Sequence, residues 1–275
     1  MARLFGFIGN RADLGARVLE LEREPLKVAV RGTPLGWGIG FYQSGEVLLR
    51  RRPIDDRSEL DPASLASDVR SDVLVGHVRK ASVGARRTEN THPFRYRQWL
   101  WANTGTIQGF SDELRDRLAG SLPEFLRRDV RGETDSELLF HLFLSFLHDT
   151  GHLAESFVDT GATRAALRST LALVDRLCAE EGQSPSELNV LVTDGEHMVA
   201  AHRGERMAYR FFEGRADLER MLGDDARWRR LPDSASCHFT LVASDFDKPP
   251  RGWTEVPHGS FVTLTRTAPP AVEAI

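Results

Sequence analysis

The sequence predicts an α+β fold in which helices pack on stacked, mostly antiparallel sheets within one domain. The order of elements is the first reason, because apolar strand-like runs come first, two long helices follow, and strands then return. Turn residues are the second reason, since Ser44-Gly45 and Asp194-Gly195 each separate two apolar runs, as hairpin turns do. The third is a helix that is apolar on nearly every side and therefore has to be covered on several faces.

The first half of the chain is predicted to be mainly strands. It opens with a buried strand over residues 4–8, after which Asp13 caps a helix that runs to Leu21. Apolar runs between turn residues indicate the elements that follow: a strand pair over 36–42 and 46–50, a short helix that begins at Asp61-Pro62, and strands over 73–78 and 99–103.

Two long helices precede the remaining strands. The first begins with a capping box, in which the side chains of Thr134 and Glu137 satisfy each other's exposed backbone donors. Thr163 is predicted to cap the second helix. Strands are then predicted at five places: 188–193, 198–202, 207–212, 239–243 and 260–265. We expect a single domain over residues 1–266 and a flexible tail over 267–275.

The composition is that of an ordinary soluble globular protein, with 41% apolar and 28% charged residues. The net charge of −4 argues against nucleic acid as a partner, and short arginine clusters such as 227–230 are interpreted as solvated surface. Cys178 and Cys237 form neither a disulfide framework nor a metal-binding spacing. The sequence has no signal pattern and no apolar stretch of about 18–20 residues, so we expect a cytoplasmic protein without a membrane segment.

Two competing patterns indicate no metal and no cofactor. His141, His148 and His152 follow helical spacing, but Gly151 is predicted to end the helix before the third, and no carboxylate completes a metal site. The glycine-rich run over residues 36–40 is not followed by a helix start, as a dinucleotide-binding loop would be. We therefore predict a protein that binds neither.

Six motifs follow one another in a distinctive order: Met1-Ala2-Arg3-Leu4-Phe5-Gly6, Gly36-Trp37-Gly38-Ile39-Gly40-Phe41, Gly76-His77-Val78-Arg79-Lys80-Ala81-Ser82-Val83-Gly84, Asn90-Thr91-His92-Pro93-Phe94, Ala102-Asn103-Thr104-Gly105 and Gly132-Glu133-Thr134-Asp135-Ser136-Glu137. Together they resemble the class II (N-terminal nucleophile) glutamine amidotransferases, particularly the small stand-alone branch that begins Met-Cys-Arg. With later strands included, the resemblance covers about residues 2–265. It implies the four-layer αββα sandwich of the N-terminal nucleophile hydrolases.

Residue 2 departs from this family, because it is alanine where the family has cysteine. The resemblance implies that family members lose the initiator methionine and use the exposed cysteine to take ammonia from glutamine. Such a cysteine supplies the attacking sulfur and, through its own α-amine, the base. The methyl group of Ala2 can do none of the bond-making, and loss of a nucleophile costs a hydrolase on the order of 10⁶ in turnover.

A second departure concerns the oxyanion hole. Residues 102–105 stand where the family carries Ala-His-Asn-Gly, whose Asn side chain and Gly backbone N–H hold the oxyanion. Aligned on Gly105, Thr104 replaces that asparagine, and loss of one such donor costs roughly 10²–10³ in rate. Asn103 could take the role only through a one-residue slip, which would exchange the faces of neighbouring side chains. Leu35 is a smaller departure, since relatives usually have Asp there.

The positions that hold the substrate resemble the family more closely. Arg79 matches the arginine that pairs with the α-carboxylate of glutamine, a task suited to a planar guanidinium. Asp135 matches the acid that receives the α-ammonium, although an aspartate in a first helical turn is also favoured by the helix dipole alone. Ser82 and His92 occupy positions that line the family's pocket.

Three hypotheses remain open. In the first, a natural, degenerate amidotransferase-like protein binds glutamine or a γ-glutamyl compound and serves as a regulatory or partner subunit beside a separate synthase or acceptor protein. In the second, the alanine is an engineered change in an active amidotransferase, made to trap substrate. In the third, Ser82 or Thr104 acts as a different nucleophile. The combined departures at Ala2, Thr104 and Leu35 favour the first, because a substrate trap requires only one change.

Overall fold

A computed structural model of the protein describes residues 2–29, 34–79, 83–223 and 236–275. Its strands, numbered in chain order, are β1 (Arg3–Gly9), β2 (Val28–Ala29), β3 (Leu35–Gln43), β4 (Glu46–Asp55), β5 (Glu59–Leu60), β6 (Val73–Arg79), β7 (Phe94–Tyr96), β8 (Trp99–Thr104), β9 (Asn189–Thr193), β10 (His197–His202), β11 (Ala208–Glu213), β12 (His238–Ala243), β13 (Thr254–Glu255), β14 (Ser260–Thr265) and β15 (Ala271–Ala274). Its helices are α1 (Gly15–Leu21), α2 (Arg23–Leu26), α3 (Pro62–Leu65), α4 (Asp112–Gly120), α5 (Glu124–Arg127), α6 (Asp135–Asp149), α7 (Thr160–Glu180) and α8 (Gly214–Leu222), with a 3-10 turn at His152–Ala154.

The strand pairings in the described residues are all antiparallel, as predicted. One sheet has the order β13-β11-β12-β1-β6-β3-β4, a second has the order β15-β14-β10-β9-β8-β7, and β2 pairs with β5. Both predicted hairpins are confirmed, since Ser44-Gly45 joins β3 to β4 and Asp194-Gly195 lies between β9 and β10. β1 runs through the middle of the larger sheet, between β12 and β6.

Helices cover the outer face of each sheet and produce four layers. On β1 the period-2 alternation sends Phe5 and Phe7 into the core beneath α1, α3 and α8, while Leu4 and Ile8 lie between the two sheets. On the second sheet, Trp101 of β8 belongs to the core formed with α6 and α7. The predicted αββα sandwich is therefore confirmed.

Helix α6 is buried along almost its whole length, since 12 of its 15 residues are inaccessible, as the all-round apolar pattern predicted. Thr134 Oγ1 accepts the backbone N–H of Glu137 at 3.3 Å, which is the first half of the predicted capping box. The second half is wrong, because the Glu137 carboxylate accepts the N–H groups of Arg131 and Gly132 at 3.0 and 2.6 Å. These donors lie in the segment that leads into the helix.

Two other helix starts differ from the prediction. Asp13 forms an ion pair with Arg11 at 2.7 Å, and α1 begins two residues after it without a side-chain cap. Helix α7 begins earlier than predicted, with Asp159 as its cap. Thr163 lies inside that helix and is fully buried, with its hydroxyl 3.0 Å from Nε2 of His197. In both cases a nearby partner decides the role of the side chain.

Strand β15 lies within residues 267–275, which were predicted to form a flexible tail. That prediction is wrong for the residues of β15. Ala271–Ala274 pairs with β14, with Val272 opposite Val262, and the N–H of Ile275 donates to the carbonyl of Gly259 at 2.9 Å. The reason is that β14 presents a row of backbone donors and acceptors, which a neighbouring strand can pair with whatever its composition.

A close backbone contact sets the spacing between β3 and the segment that precedes β7. A Cβ atom on Gly38 would lie 2.0 Å from the carbonyl oxygen of His92, so no larger residue fits without movement of the backbone. Gly38 also pairs with His77 of β6. The Gly-Trp-Gly motif therefore allows the His92 segment to lie directly against the larger sheet.

We expect Gly38→Ala to lower the free energy of unfolding by about 1–3 kcal/mol, because the added methyl group meets a backbone atom rather than a movable side chain. Gly120→Ala at the end of α4 is the matched control, since a Cβ there has nothing within 4 Å. Denaturant titration of both variants measures the difference. An unchanged midpoint for Gly38→Ala would show that the contact is not a packing constraint.

Candidate functional site

A small cavity of about 90 Å³ lies where β1, β6 and β8 end against the start of α6. Its walls come from five segments of the chain: Ala2, His77, Arg79, Val83, His92, Asn103, Thr104, Gly105, Thr106, Thr134, Asp135 and Ser136. The structure thus brings together every sequence-predicted site residue except Ser82, which lies outside the described residues. Residues from motifs that are spread over about 130 residues of sequence therefore line one cavity.

The pairing of β1 with β6 determines where residue 2 lies. Arg3 pairs with Val78, so the chain continues to Ala2 alongside Arg79. Ala2 is partly exposed and contributes to the cavity wall. Arg3 points elsewhere and is buried, and its Nη1 donates to the backbone carbonyl of Ser244 at 2.8 Å. The group that Ala2 presents to the cavity is consequently no more than a methyl.

The rings of two buried histidines are in tilted contact with each other in the wall. The ring centroids of His77 and His92 are 4.4 Å apart. Burial lowers the pKa of His77 well below its ordinary value and that of His92 to about 3, so both rings are neutral at pH 7. Among the described residues, Nδ1 of each ring has no hydrogen-bond partner. Each ring therefore retains a nitrogen that can bind a ligand.

Asn103 connects this wall to helix α6. Its Oδ1 accepts the indole N–H of Trp101 at 2.9 Å, and because an indole only donates, this contact fixes which end of the amide is oxygen. Nε2 of His92 lies 3.2 Å from the same oxygen and donates to it, while Nδ2 of Asn103 donates to Ser136 Oγ at 3.1 Å. Both ends of the Asn103 amide are thus occupied by protein groups.

The Arg79 guanidinium is held by the loop that follows β6. Nη2 donates to the carbonyl of Val83 at 2.7 Å and Nη1 donates to that of Ala85 at 3.3 Å. Burial, together with the charge of Arg86, lowers the pKa of Arg79, while the Asp135 carboxylate acts in the opposite direction. A buried guanidinium whose partners are neutral carbonyls leaves its charge without a direct counter-ion.

Asp135 is the first residue of α6 and faces the same cavity. Its Oδ2 accepts the N–H of Ile107 at 2.8 Å and its Oδ1 accepts the N–H of Ser136 at 2.9 Å. Burial raises the pKa of Asp135 despite these bonds. An ionised carboxylate offers about four lone-pair positions, so a bound cation can still be accepted.

Thr104 belongs to a chain of hydroxyl groups that leads away from the cavity. Its Oγ1 lies 3.4 Å from Ser244 Oγ, and the Ser244 hydroxyl donates to the Asp245 carboxylate. At 3.4 Å the Thr104–Ser244 contact is longer than an ordinary O–H···O hydrogen bond, and either hydroxyl can be its donor. An oxyanion requires donors. Thr104 has a single hydroxyl hydrogen, for which Ser244 Oγ competes.

Gly105 ends the β8 segment in a conformation that only glycine adopts easily. Its φ is +93°, and a Cβ there would lie 2.0 Å from the carbonyl oxygen of Glu187. The glycine is therefore required by the backbone path, whatever role its N–H has in binding.

His77 was not predicted to be a site residue, but the structure places it in the cavity wall beside His92. A signal was present, because His77 and Arg79 are two residues apart on a strand and so lie on the same face. The positions of Thr134 and Ser136 in the wall could also be inferred from their neighbour Asp135 at the helix start.

No group of three or more His, Cys, Asp or Glu side chains in residues 2–29, 34–79, 83–223 and 236–275 is arranged to hold a metal ion. Within those same ranges, none of the helices combines the length and the apolar character that a membrane crossing requires.

Comparison with known proteins gives one consistent family. Residues 27–273 match the family described as glutamine amidotransferases class-II. The chain is 28% identical over 252 residues to a probable glutamine amidotransferase of Saccharomyces cerevisiae, a match that spans 84% of this chain and 69% of the yeast protein. It is 26% identical over 226 residues to the γ-glutamyl-hercynylcysteine sulfoxide hydrolase of Mycobacterium tuberculosis, which spans 78% of this chain and 82% of that one. Two further relatives are matched over only 34% and 59% of their own length.

The fold is also similar to solved structures. A crystal structure of a predicted glutamine amidotransferase from Pseudomonas aeruginosa superimposes with a TM-score of 0.58 and covers 99% of this chain and 100% of that one. The sequence identity is 21%, so this similarity concerns the fold alone.

The two neutral histidines predict a pH-dependent stability. Their folded-state pKa values lie below the unfolded value of about 6.5, so the unfolded state binds more protons and stability is lost as the pH falls below that value. Each ring accounts for up to about 1.4 kcal/mol per pH unit.

Unfolding titrations between pH 7 and 4.5 check this, with His92→Gln expected to flatten the acid limb even if it lowers stability at pH 7. His148→Gln, at an exposed position on α6, is the matched control and should follow the parent profile. Parallel curves for the parent chain and His92→Gln would contradict the argument.

Proposed function

The chain belongs to the class-II glutamine amidotransferase family, and from this premise we propose that it binds glutamine or a γ-glutamyl compound while hydrolysing the amide poorly or not at all. The observation that carries this proposal is the position of Ala2 on the wall of the cavity, beside the register position of Arg79. In the proposal, the binding half of the site is retained and the bond-making half is lost.

The bond-making half lacks its nucleophile. Attack on a side-chain amide needs a lone pair on sulfur or oxygen close to the carbonyl carbon, with a base for the displaced proton. A methyl group supplies neither. An α-amine exposed at Ala2 after removal of Met1 would be a base with nothing to activate. Ala2, the residue that precedes β1, faces the cavity.

The oxyanion position supports the same proposal. Thr104 is 5% exposed, and Ser244 Oγ competes for its single hydroxyl hydrogen, whereas an asparagine amide would offer two N–H donors. Loss of one donor reduces rates by roughly 10²–10³ even when the nucleophile is intact. Two independent parts of the machinery are therefore changed in one direction, which favours natural degeneration over a single engineered substitution.

The binding half would work through Arg79 and Asp135. A glutamine α-carboxylate would take over the N–H groups that Arg79 now gives to the carbonyls of Val83 and Ala85, exchanging two neutral acceptors for a charged one. The α-ammonium would bind the Asp135 carboxylate, whose burial cost such a cation reduces. Because the unliganded cavity is only about 90 Å³, the loop at residues 83–85 would move as glutamine binds.

Two ligand classes fit this arrangement. Free glutamine is the substrate class that the family name indicates. A γ-glutamyl compound carries the same α-amino and α-carboxyl groups, and the Mycobacterium tuberculosis relative is named as a hydrolase of such a compound. A protein that binds either without cleaving it would act as a regulatory or partner subunit for a separate synthase or acceptor protein.

Calorimetry with L-glutamine tests the binding half. We expect saturable binding that weakens at least about 10-fold in Arg79→Ala, because a charge-assisted pair is lost. Arg87→Ala, at an exposed arginine of the same loop, should bind as the parent does. Absence of glutamine and γ-glutamyl binding in the parent chain would contradict the proposal.

An ammonia-release assay tests the chemical half. The parent chain and Thr104→Asn should stay at background, Ala2→Cys should gain weak glutaminase activity, and the Ala2→Cys, Thr104→Asn double variant should gain about 10²-fold more. Removal of Met1 is verified by mass spectrometry in each case.

Steady turnover by the parent chain that disappears in Thr104→Ala would identify Thr104 as a nucleophile and refute the degenerate interpretation. A Ser82→Ala variant makes the same check for the other candidate hydroxyl.

A further inference from the structure

A second and larger cleft, of about 470 Å³, lies on the far side of His92 from the cavity described above. The ring of Phe94 separates the two spaces, since it contacts the His92 ring with a centroid distance of 4.7 Å and lines the cleft itself. The cleft is bounded by β4, β7 and the start of α6: Leu49, Arg51, Glu89, Phe94, Arg95, Asp129, Arg131, Glu137, Phe140 and His141. No part of the proposed glutamine chemistry uses these residues.

His141 places an unused acceptor in the wall of this cleft. The residue is 4% exposed, and its Nδ1 lies 2.8 Å from the backbone carbonyl of Glu137. A carbonyl only accepts, so Nδ1 carries a hydrogen, and in the Nδ1–H tautomer of the ring Nε2 carries a lone pair. Nε2 is buried and has no hydrogen-bond partner in the described part of the chain. A buried polar atom without a partner is costly.

The nearest charged group to that nitrogen is another acceptor. Oδ2 of Asp129 lies 3.9 Å from Nε2 of His141, beyond hydrogen-bond distance. Oδ1 of the same carboxylate lies 3.6 Å from Nη2 of Arg131, so Asp129 already has a counter-ion. In the Nδ1–H tautomer of His141, Nε2 and Oδ2 are two acceptors with no hydrogen between them. An ammonium group has three donors, so it can donate to both at once.

Arg51 provides the opposite charge in the same cleft. Within the described residues its guanidinium makes one long bond, from Nη1 to the carbonyl of Thr91 at 3.3 Å. Burial lowers the pKa of Arg51, while Glu89 and Glu137 act in the opposite direction. The guanidinium has five N–H donors in a fork that matches a carboxylate, and most of that capacity remains for a ligand.

The remaining walls limit the ligand further. Leu49, Phe94 and Phe140 are the apolar residues of the lining; Leu49 is partly exposed, and the two phenylalanines are buried behind the wall. The charges of the lining residues balance, with three arginines against three carboxylates, which disfavours a strongly anionic ligand such as a phosphate ester. A space of about 470 Å³ is within the range of small-molecule sites.

We propose that this cleft binds a zwitterionic amino acid or short peptide with an apolar side chain. Its ammonium would bind between His141 Nε2 and Asp129, its carboxylate would bind Arg51, and its side chain would pack on Leu49, Phe94 and Phe140. The site goes beyond the proposed glutamine-binding function and does not require it. It lies one aromatic ring away from the first cavity.

Calorimetry with the dipeptide Leu-Leu tests this proposal on the full chain. We expect saturable binding that weakens at least about 10-fold in Arg51→Met and in Asp129→Asn, since each removes one charged partner. N-acetyl-Leu-Leu and Leu-Leu amide, which each lack one of the two charges, should bind correspondingly weakly.

The neighbouring ion pair provides matched controls. Arg50 and Asp68 form an exposed pair at 2.6 Å, so Arg50→Met and Asp68→Asn make the same chemical changes outside the cleft and should bind as the parent does. Arg79→Ala should also bind the dipeptide normally, and this separates the outcome from that of the glutamine proposal.

Three results would overturn the proposal. One is no dipeptide binding at millimolar concentration. Another is binding unchanged by both Arg51→Met and Asp129→Asn. The third is binding that Arg79→Ala abolishes, since the dipeptide would then occupy the first cavity.

Discussion

The antiparallel pairing of β1 with β6 is the interaction on which the candidate site depends. It places residue 2 beside Arg79 and brings His77 to the same face, while β1 itself is fixed between β6 and β12 in the middle of a seven-stranded sheet. A slip of one residue would turn the side chains of β1 to the opposite face and remove Phe5 and Phe7 from their core. Core packing therefore maintains the geometry of the site whether or not residue 2 can react.

Around this pairing, the polar groups of the cavity mostly have protein partners. Arg79 donates to loop carbonyls, Asp135 accepts backbone N–H groups, and Asn103 uses both ends of its amide. The Nδ1 atoms of His77 and His92 are exceptions in the described residues. Such a network keeps the unliganded protein stable, because few buried groups lack a bond. A ligand must offer better partners than those already present.

Apolar periodicity was sufficient to predict helices packed on stacked antiparallel sheets, because strands and helices bury their faces with periods of two and 3.6 residues. The four-layer order was expected from the family resemblance. The helix starts were less predictable. Asp13 and Thr163 are good capping residues by type, yet an arginine and a buried histidine, respectively, are their partners. These choices depend on contacts that local sequence does not contain. The motifs identified the residues that would form the cavity, and Ser82 lies outside the described residues.

The stacking of His77 on His92 and the hydroxyl chain from Thr104 to Asp245 could not be predicted in this way, because they join segments that are far apart in sequence. The competition for the Thr104 hydroxyl hydrogen comes from Ser244, which is 140 residues away in sequence. A motif comparison records only that asparagine is replaced by threonine, whereas the direction of a hydroxyl hydrogen depends on its neighbours in space.

The pairing of β15 with β14 has a practical consequence for handling the protein. Ser260–Thr265 carries Phe261, Val262 and Leu264, and β15 covers its outer backbone edge. Shortening the chain to remove an apparently dispensable end would uncover that edge, which is a template for intermolecular β-sheet growth. Purification handles attached at that end are better separated by a spacer than substituted for the last residues, since precipitation of a truncated protein would otherwise be mistaken for a fault in its ligand-binding site.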